Sequence, residues 1–225
     1  MLARTSPGAD VRYRNTTLAA ATLLVLSMSS CAGPSDTGET SSAPAAWVSY
    51  TTPDGSLVFE HRADWTIQEK PALANDPAGG VSVQVNDAGG DMVARLDTGL
   101  ITDLICDDPD EEVRYTEYDT EPMPELDSEQ GTEQRFVYRS VAPSSPDRGE
   151  PVATYAVITE TGDRGQCGLF DFFTFTESSG GRFAGEYPSE EVASGQSYLD
   201  GAEAYVDSDE FRDVKRMLVS LRDTR

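Results

Sequence analysis

Histidine and cysteine are nearly missing from this chain, which has one His and three Cys in 225 residues. That leaves no material for a zinc ribbon or a multi-histidine metal centre. Any Ser-His or Cys-His nucleophile would have to use His61. Positive charge is scarce as well: 17 Lys+Arg stand against 40 Asp+Glu, for a formal charge of -23 and a pI near 4.1. Nucleic-acid binding needs basic patches to neutralise phosphates, so the balance argues against nucleic acid as a partner. No uninterrupted apolar run reaches the roughly 18–20 residues that span a bilayer. GxSxG, HExxH, a phosphate-binding glycine loop and a dinucleotide fingerprint are all absent from the sequence. No catalytic residue, metal ligand or cofactor is predicted. What is present, at 38% hydrophobic with 8 Phe and 9 Tyr, suffices for one folded core.

The first thirty residues differ from the rest. Arg4, Arg12 and Arg14 make a basic start, the stretch Leu18–Leu26 is apolar, and Ser27, Met28, Ser29 and Ser30 are small or unbranched. A basic region, a short apolar segment and a small-residue cleavage site predict a secretory signal peptide over 1–30. The placement of Cys31 adds to this. Met28-Ser29-Ser30-Cys31 resembles a bacterial lipobox, which implies that the Cys31 thiol receives a diacylglycerol and becomes the new N-terminus. Two or more acyl chains anchor a protein stably, at about 0.8 kcal/mol per buried methylene. Together with 15 Arg against 2 Lys, the lipobox makes the chain similar to actinobacterial lipoproteins. Residues 32–46 are small, polar and aperiodic, a flexible linker with a reach of roughly 20 Å.

From Trp47 to Arg225 the length fits a single domain. Its dominant signal is period-2 alternation. Val81, Val83 and Val85 share one face, and Met92, Ala94 and Leu96 alternate with Val93 and Arg95. Asp87-Ala88-Gly89-Gly90 between them supplies a hairpin turn. Pro53-Asp54-Gly55 predicts another turn leading into Ser56–Glu60, with Trp65–Gln68 as the returning strand. Further strands are expected over 113–118, 132–141, 152–159, 169–176 and 182–187. Phe170 and Phe172 against Phe173 and Phe175 put apolar residues on both faces of 169–176, which predicts a central strand. Near the C-terminus the period changes. Phe211, Val214, Met217, Leu218 and Leu221 fall at helical spacing, and Asp207 with Glu210 forms a capping pair. The expected fold is α+β: an antiparallel meander sheet with a C-terminal amphipathic helix of about 15 residues packed on it.

With Cys31 acylated, two cysteines remain, and an exported pair is most simply a disulfide, Cys106–Cys167. The alternative is two free thiols. A redox-active pair is disfavoured, because there is no CxxC and no basic neighbour beyond Arg164. His61 ends Leu57–His61 in phase with Leu57 and Phe59 and reads as structural. The densest acidic run, residues 107–112, could offer oxygens to Ca²⁺ but lacks EF-hand spacing and its turn glycine. Asn86, Asp87 and Asp91 are a second candidate of that kind. A carboxylate-based hydrolase would need two acids at a set separation, which sequence does not give.

One segment carries a family resemblance. Pro53-Asp54-Gly55 through Phe59 to Trp65 is similar to the opening of PsbP-like domains, and Glu210-Phe211 through Ser220-Leu221-Arg222 is similar to the closing helix of lipoproteins with that fold. Arg62 stands where that family has Pro. The resemblance implies a sheet with packed helices and a largely non-catalytic accessory or binding role, and it carries over no functional residues. The expectation is a lipid-anchored domain on the outer face of the cytoplasmic membrane that binds an unknown protein or small molecule. The alternatives are a Ca²⁺-loaded surface protein and a hydrolase. A bridge between Cys106 and Cys167 would close about 60 residues and add roughly 4 kcal/mol. The denatured, unreduced mature protein should titrate with no free thiol, and two titratable thiols would remove the bridge.

Overall fold

The structure, a computed structural model, describes residues 45–73, 79–101, 113–126, 133–143, 145, 147, 149–159, 171–176, 179–188 and 196–224. The strands are β1 (Trp47–Thr51), β2 (Leu57–Arg62), β3 (Thr66–Lys70), β4 (Ser82–Asn86), β5 (Met92–Ile101), β6 (Val113–Pro122), β7 (Gln134–Pro143), β8 (Val152–Thr159), β9 (Phe173–Thr174), β10 (Ser179–Glu186) and β11 (Arg222–Asp223). Two short helices, α1 (Tyr198–Ala204) and α2 (Asp209–Val219), are joined by a 3₁₀ turn at Tyr205–Asp207. Strand makes up 52% of the described residues and helix 19%. The α+β expectation, one meander sheet with a packed C-terminal helix, is therefore corrected: the protein is mostly β, with two sheets. The reason is physical. Alternation reports which face a residue takes but not which strand it pairs with, so a sequence pattern cannot count sheets.

The smaller sheet has the order β1-β2-β11 and the larger β3-β4-β5-β10-β8-β7-β6, with β9 paired to β10 off that path. All these pairings are antiparallel. Two meanders, β3-β4-β5 and β6-β7-β8, make up most of the larger sheet, and β10 is inserted between them. The predicted return of Trp65–Gln68 onto Ser56–Glu60 does not occur. β2 is covered by β1 and β11, and β3 leaves for the other sheet after a tight link in which Trp65 N donates to Arg62 O at 3.1 Å. Trp65 is buried at that crossing, which fixes where the chain changes sheets. The predicted central strand at 169–176 is also corrected. Its described part gives only the two-residue β9, beside Gly180 and Gly181 of β10. Phe173 is fully buried and meets Phe175 edge-on at 5.2 Å.

Alternation assigns the two faces of the larger sheet. One face carries Val83, Val85, Leu96, Phe183, Tyr155, Val157, Phe136 and Tyr138, and the helices pack on it. Here the aromatic residues supply most of the apolar area, each contributing about 1.5–3 kcal/mol when fully buried. Phe211 of α2 sits 5.1 Å from Tyr138, 5.5 Å from Tyr205 and 6.2 Å from Phe136. Phe59 of β2 lies 5.0 Å from Phe183 of β10, which joins the two sheets in one core. The other face holds a small buried cluster of Val137, Ala156, Ile158 and Ala184.

The helices begin where the sequence can cap them. Ser197 accepts from Asp200 N at the start of α1, and Ser208 accepts from Phe211 N at 3.0 Å at the start of α2. Ser208, not the expected Asp207, is therefore the cap. The helix has 11 residues instead of about fifteen, because Leu221 lies past the Ser220 C-cap and the chain turns into β11. Scarce cations brace α2 from both sides. Lys215 reaches Asp119 at 2.9 Å and Glu121 at 3.2 Å on β6, and Arg216 lies 4.0 Å over the Trp47 ring and 3.3 Å from Glu60. Arg62 pairs with Asp213 at 2.6 Å. Exposed pairs of this kind contribute about 0–1 kcal/mol each, so they orient the helix while the aromatic core holds it.

Candidate functional site

The β4–β5 hairpin closes as its sequence predicts over Asp87–Gly90. Asp87 Oδ1 accepts from Gly90 N at 2.7 Å and Asp91 N at 2.8 Å, and Gly90 sits at φ +97°. Just inside the turn the register slips. Val85 pairs with Ala94 but Asn86 pairs with Met92, so Val93 is the extra residue of a bulge. On the far side of β5, pairing with β10 ends at Arg95–Ala184. Beyond it the strands part. β5 runs back through Val93 to the hairpin tip, while β10 continues through Gly185 and Glu186 beside β8.

Tyr155 of β8 spans the opening. Its register partner is Gly185, and its hydroxyl donates to Val93 O at 2.6 Å, one strand further on. A Cβ at Gly185 would collide with both Val93 O and the Tyr155 ring. The glycine is the gap through which the phenol passes. The bond also satisfies the carbonyl of the bulged residue, whose strand partner has been displaced. Burial pushes the Tyr155 phenol above its ordinary value, and the charge of Glu210 pushes the same way. The bond to Val93 O holds Tyr155 as a donor.

The parting leaves a cleft of about 510 Å³. Tyr155, Val93 and Tyr187 form its floor, all at least nine-tenths buried. Arg95, Asp97 and Arg182 line the side of β5 and β10. Arg95 is 3.0 Å from Asp97 and bonds Ser82 Oγ at 2.9 Å, and Arg182 lies 3.7 Å from Asp171. Asp87, Asp91, Glu186 and Glu210 edge the opening with Met92 and Pro188. Tyr205 donates to Glu210 at 2.9 Å. A second hollow of about 410 Å³ lies along α2 by Arg212, Lys215 and Arg216. Those cations already face Asp209, Asp119 with Glu121, and Glu60, respectively, so that hollow has its charge internally matched.

Of the residues singled out from sequence, Asp87 and Asp91 line the cleft, but they do not assemble a cation cage. One Asp87 oxygen is occupied by turn amides, and Asn86 is buried with its carbonyl oxygen accepting from Gln84 at 2.6 Å. Among the described residues there is no group of three or more His, Cys, Asp or Glu placed to hold a metal. His61 lies in β2, away from the cleft lining, with Nδ1 2.8 Å from Arg62 O and its ring 6.3 Å from Phe59. Cys31, Cys106, Cys167 and the acidic run 107–112 lie outside the described residues. Tyr155, Tyr187 and Glu186 are not singled out by the sequence, and Glu210 only as a capping partner of Asp207. The available signal was Gly185, a glycine in an alternating strand, which marks a close approach. Among the described residues no helix is long and apolar enough to cross a membrane. Compared with known proteins, the chain matches no family model and no curated protein.

Removing the Tyr155 hydroxyl orphans a buried carbonyl. Tyr155→Phe should cost about 1–3 kcal/mol in urea unfolding, and Gly185→Ala about 1–3 kcal/mol through overpacking at the same point. A loss below about 0.5 kcal/mol in both would show that the bridge carries no stability.

Proposed function

We propose that this chain is an exported lipoprotein, acylated at Cys31 and held at the outer face of the cytoplasmic membrane. Its β-domain is a non-catalytic binding module whose ligand site is the cleft between β5 and β10. The observation that carries the anchoring is the order of the segments. An apolar stretch over Leu18–Leu26 leads to Met28-Ser29-Ser30-Cys31, then to an aperiodic linker, and the first strand begins at Trp47. The acidic excess fits an extracytoplasmic body that stays soluble beside a membrane, since high net charge of one sign opposes association.

The cleft supports the binding part of the reading. It combines a buried aromatic floor with a charged lining, a concave site in which an apolar body and a polar group can both be held. Its phenol is locked onto a backbone carbonyl, and the sole histidine sits elsewhere.

The anchor is tested on the full chain made in a bacterium that processes lipoproteins. The N-terminal peptide should begin at Cys31 and carry a diacylglyceryl mass, and the protein should partition into the detergent phase of Triton X-114. Cys31→Ala should leave the protein in the aqueous phase. A wild-type chain with an unmodified N-terminus in the aqueous phase would overturn the reading.

A further inference from the structure

We propose that the cleft takes a small organic cation, an ammonium or guanidinium group carried on an apolar body. This rests on the binding reading above and names its ligand class. Five carboxylates line the cleft against two guanidinium groups. Asp97 is offset by Arg95 at 3.0 Å, and Asp87 is engaged by two turn amides. Asp91 and Glu186, both exposed, form no ion pair among the described residues, and Glu210 lines the same cleft. The negative charge is set around a floor of Tyr155, Val93 and Tyr187, each within 5% of full burial. Charge of one sign around a low-dielectric wall focuses the field into the opening and raises the local concentration of the opposite charge. Burial is the main cause that raises the Tyr155 phenol, and Glu210 and then Glu186 push it the same way.

The edge also fits the apolar part of such a ligand. Met92 is 60% exposed, and it lines the cleft together with Pro188. An unbranched thioether moulds to an irregular apolar partner. A bare metal ion would leave this edge unused and finds no preassembled donor group here among the described residues.

Three probes of one shape and different charge test the inference: benzylamine, benzyl alcohol and benzoate. The readout is the Met92 methyl resonance of the mature lipoprotein in nonionic micelles, assigned with Met92→Leu. Benzylamine alone should shift it saturably. Asp91→Asn with Glu186→Gln should weaken that response about tenfold while leaving the other methionine methyls in place. Removing two charges at the other end of the sheet, Glu125→Gln with Glu133→Gln, should leave it unchanged. If benzyl alcohol or benzoate shifts Met92 as strongly, the cleft is a binding site but the cation assignment is wrong. If no probe shifts Met92, the cation assignment and the cleft as ligand site both fall. An equal loss in both double variants would reduce the effect to overall charge and overturn the site.

Discussion

The Tyr155 hydroxyl bound to Val93 O is the contact on which the site geometry turns. The larger sheet is assembled from two meanders that become continuous only because β10 enters between β5 and β8. A strand inserted late in the chain must match two edges whose registers were set separately. At one end the match fails: β5 carries a bulge at Val93, and β10 stays with β8 instead. An unbridged gap there would expose a carbonyl and the aromatic core beneath it. The phenol of Tyr155, passing over Gly185, closes the deep part of the gap and leaves the outer part as a cleft. Fold and site therefore share one cause.

The second constraint is the shortage of positive charge. Arg62, Arg95, Arg135, Arg139, Lys215 and Arg216 each sit against a carboxylate. Arg139 is the extreme case, 1% exposed and 2.8 Å from Asp171. A buried pair of this kind adds little net stability, but losing one partner strands the other, which makes it a pin for the segment that carries Asp171. These six cations are committed to contacts with carboxylates, in a chain whose 40 Asp+Glu exceed its 17 Lys+Arg. The cleft is one place where that excess surrounds an aromatic floor.

Much of the local structure could be read from the residues. The β4–β5 hairpin, the extent of β8, and the buried stripe Phe211, Val214, Met217 and Leu218 follow from periods of two and 3.6, whereas β10, expected over 182–187, starts three residues earlier at Ser179 and ends at Glu186. What was not legible depends on pairing between segments distant in sequence. Period two says that Tyr155 and Val157 share a face; it does not say that β10 lies beside them. The two-sheet split hinges on Trp65 being buried at a crossing, a tertiary fact with no local signature. The cleft was half legible. Asp87 and Asp91 stood out because they flank a turn, whereas Glu186 and Glu210 become neighbours of that turn only once β10 and α2 are in place.

The site geometry requires Tyr155 to be held as a buried donor at the parting of β5 and β10. The exchange of its hydroxyl proton with solvent reports this directly, through the ring-carbon resonance of ¹³C-labelled tyrosine in mixed H₂O and D₂O. Tyr155 should show two resolved isotopic signals because its proton exchanges slowly, while the exposed Tyr115, bonded to Glu117, shows a single averaged one. A single averaged signal for Tyr155 would mean that the phenol is open to water and the bridge between the strands does not exist.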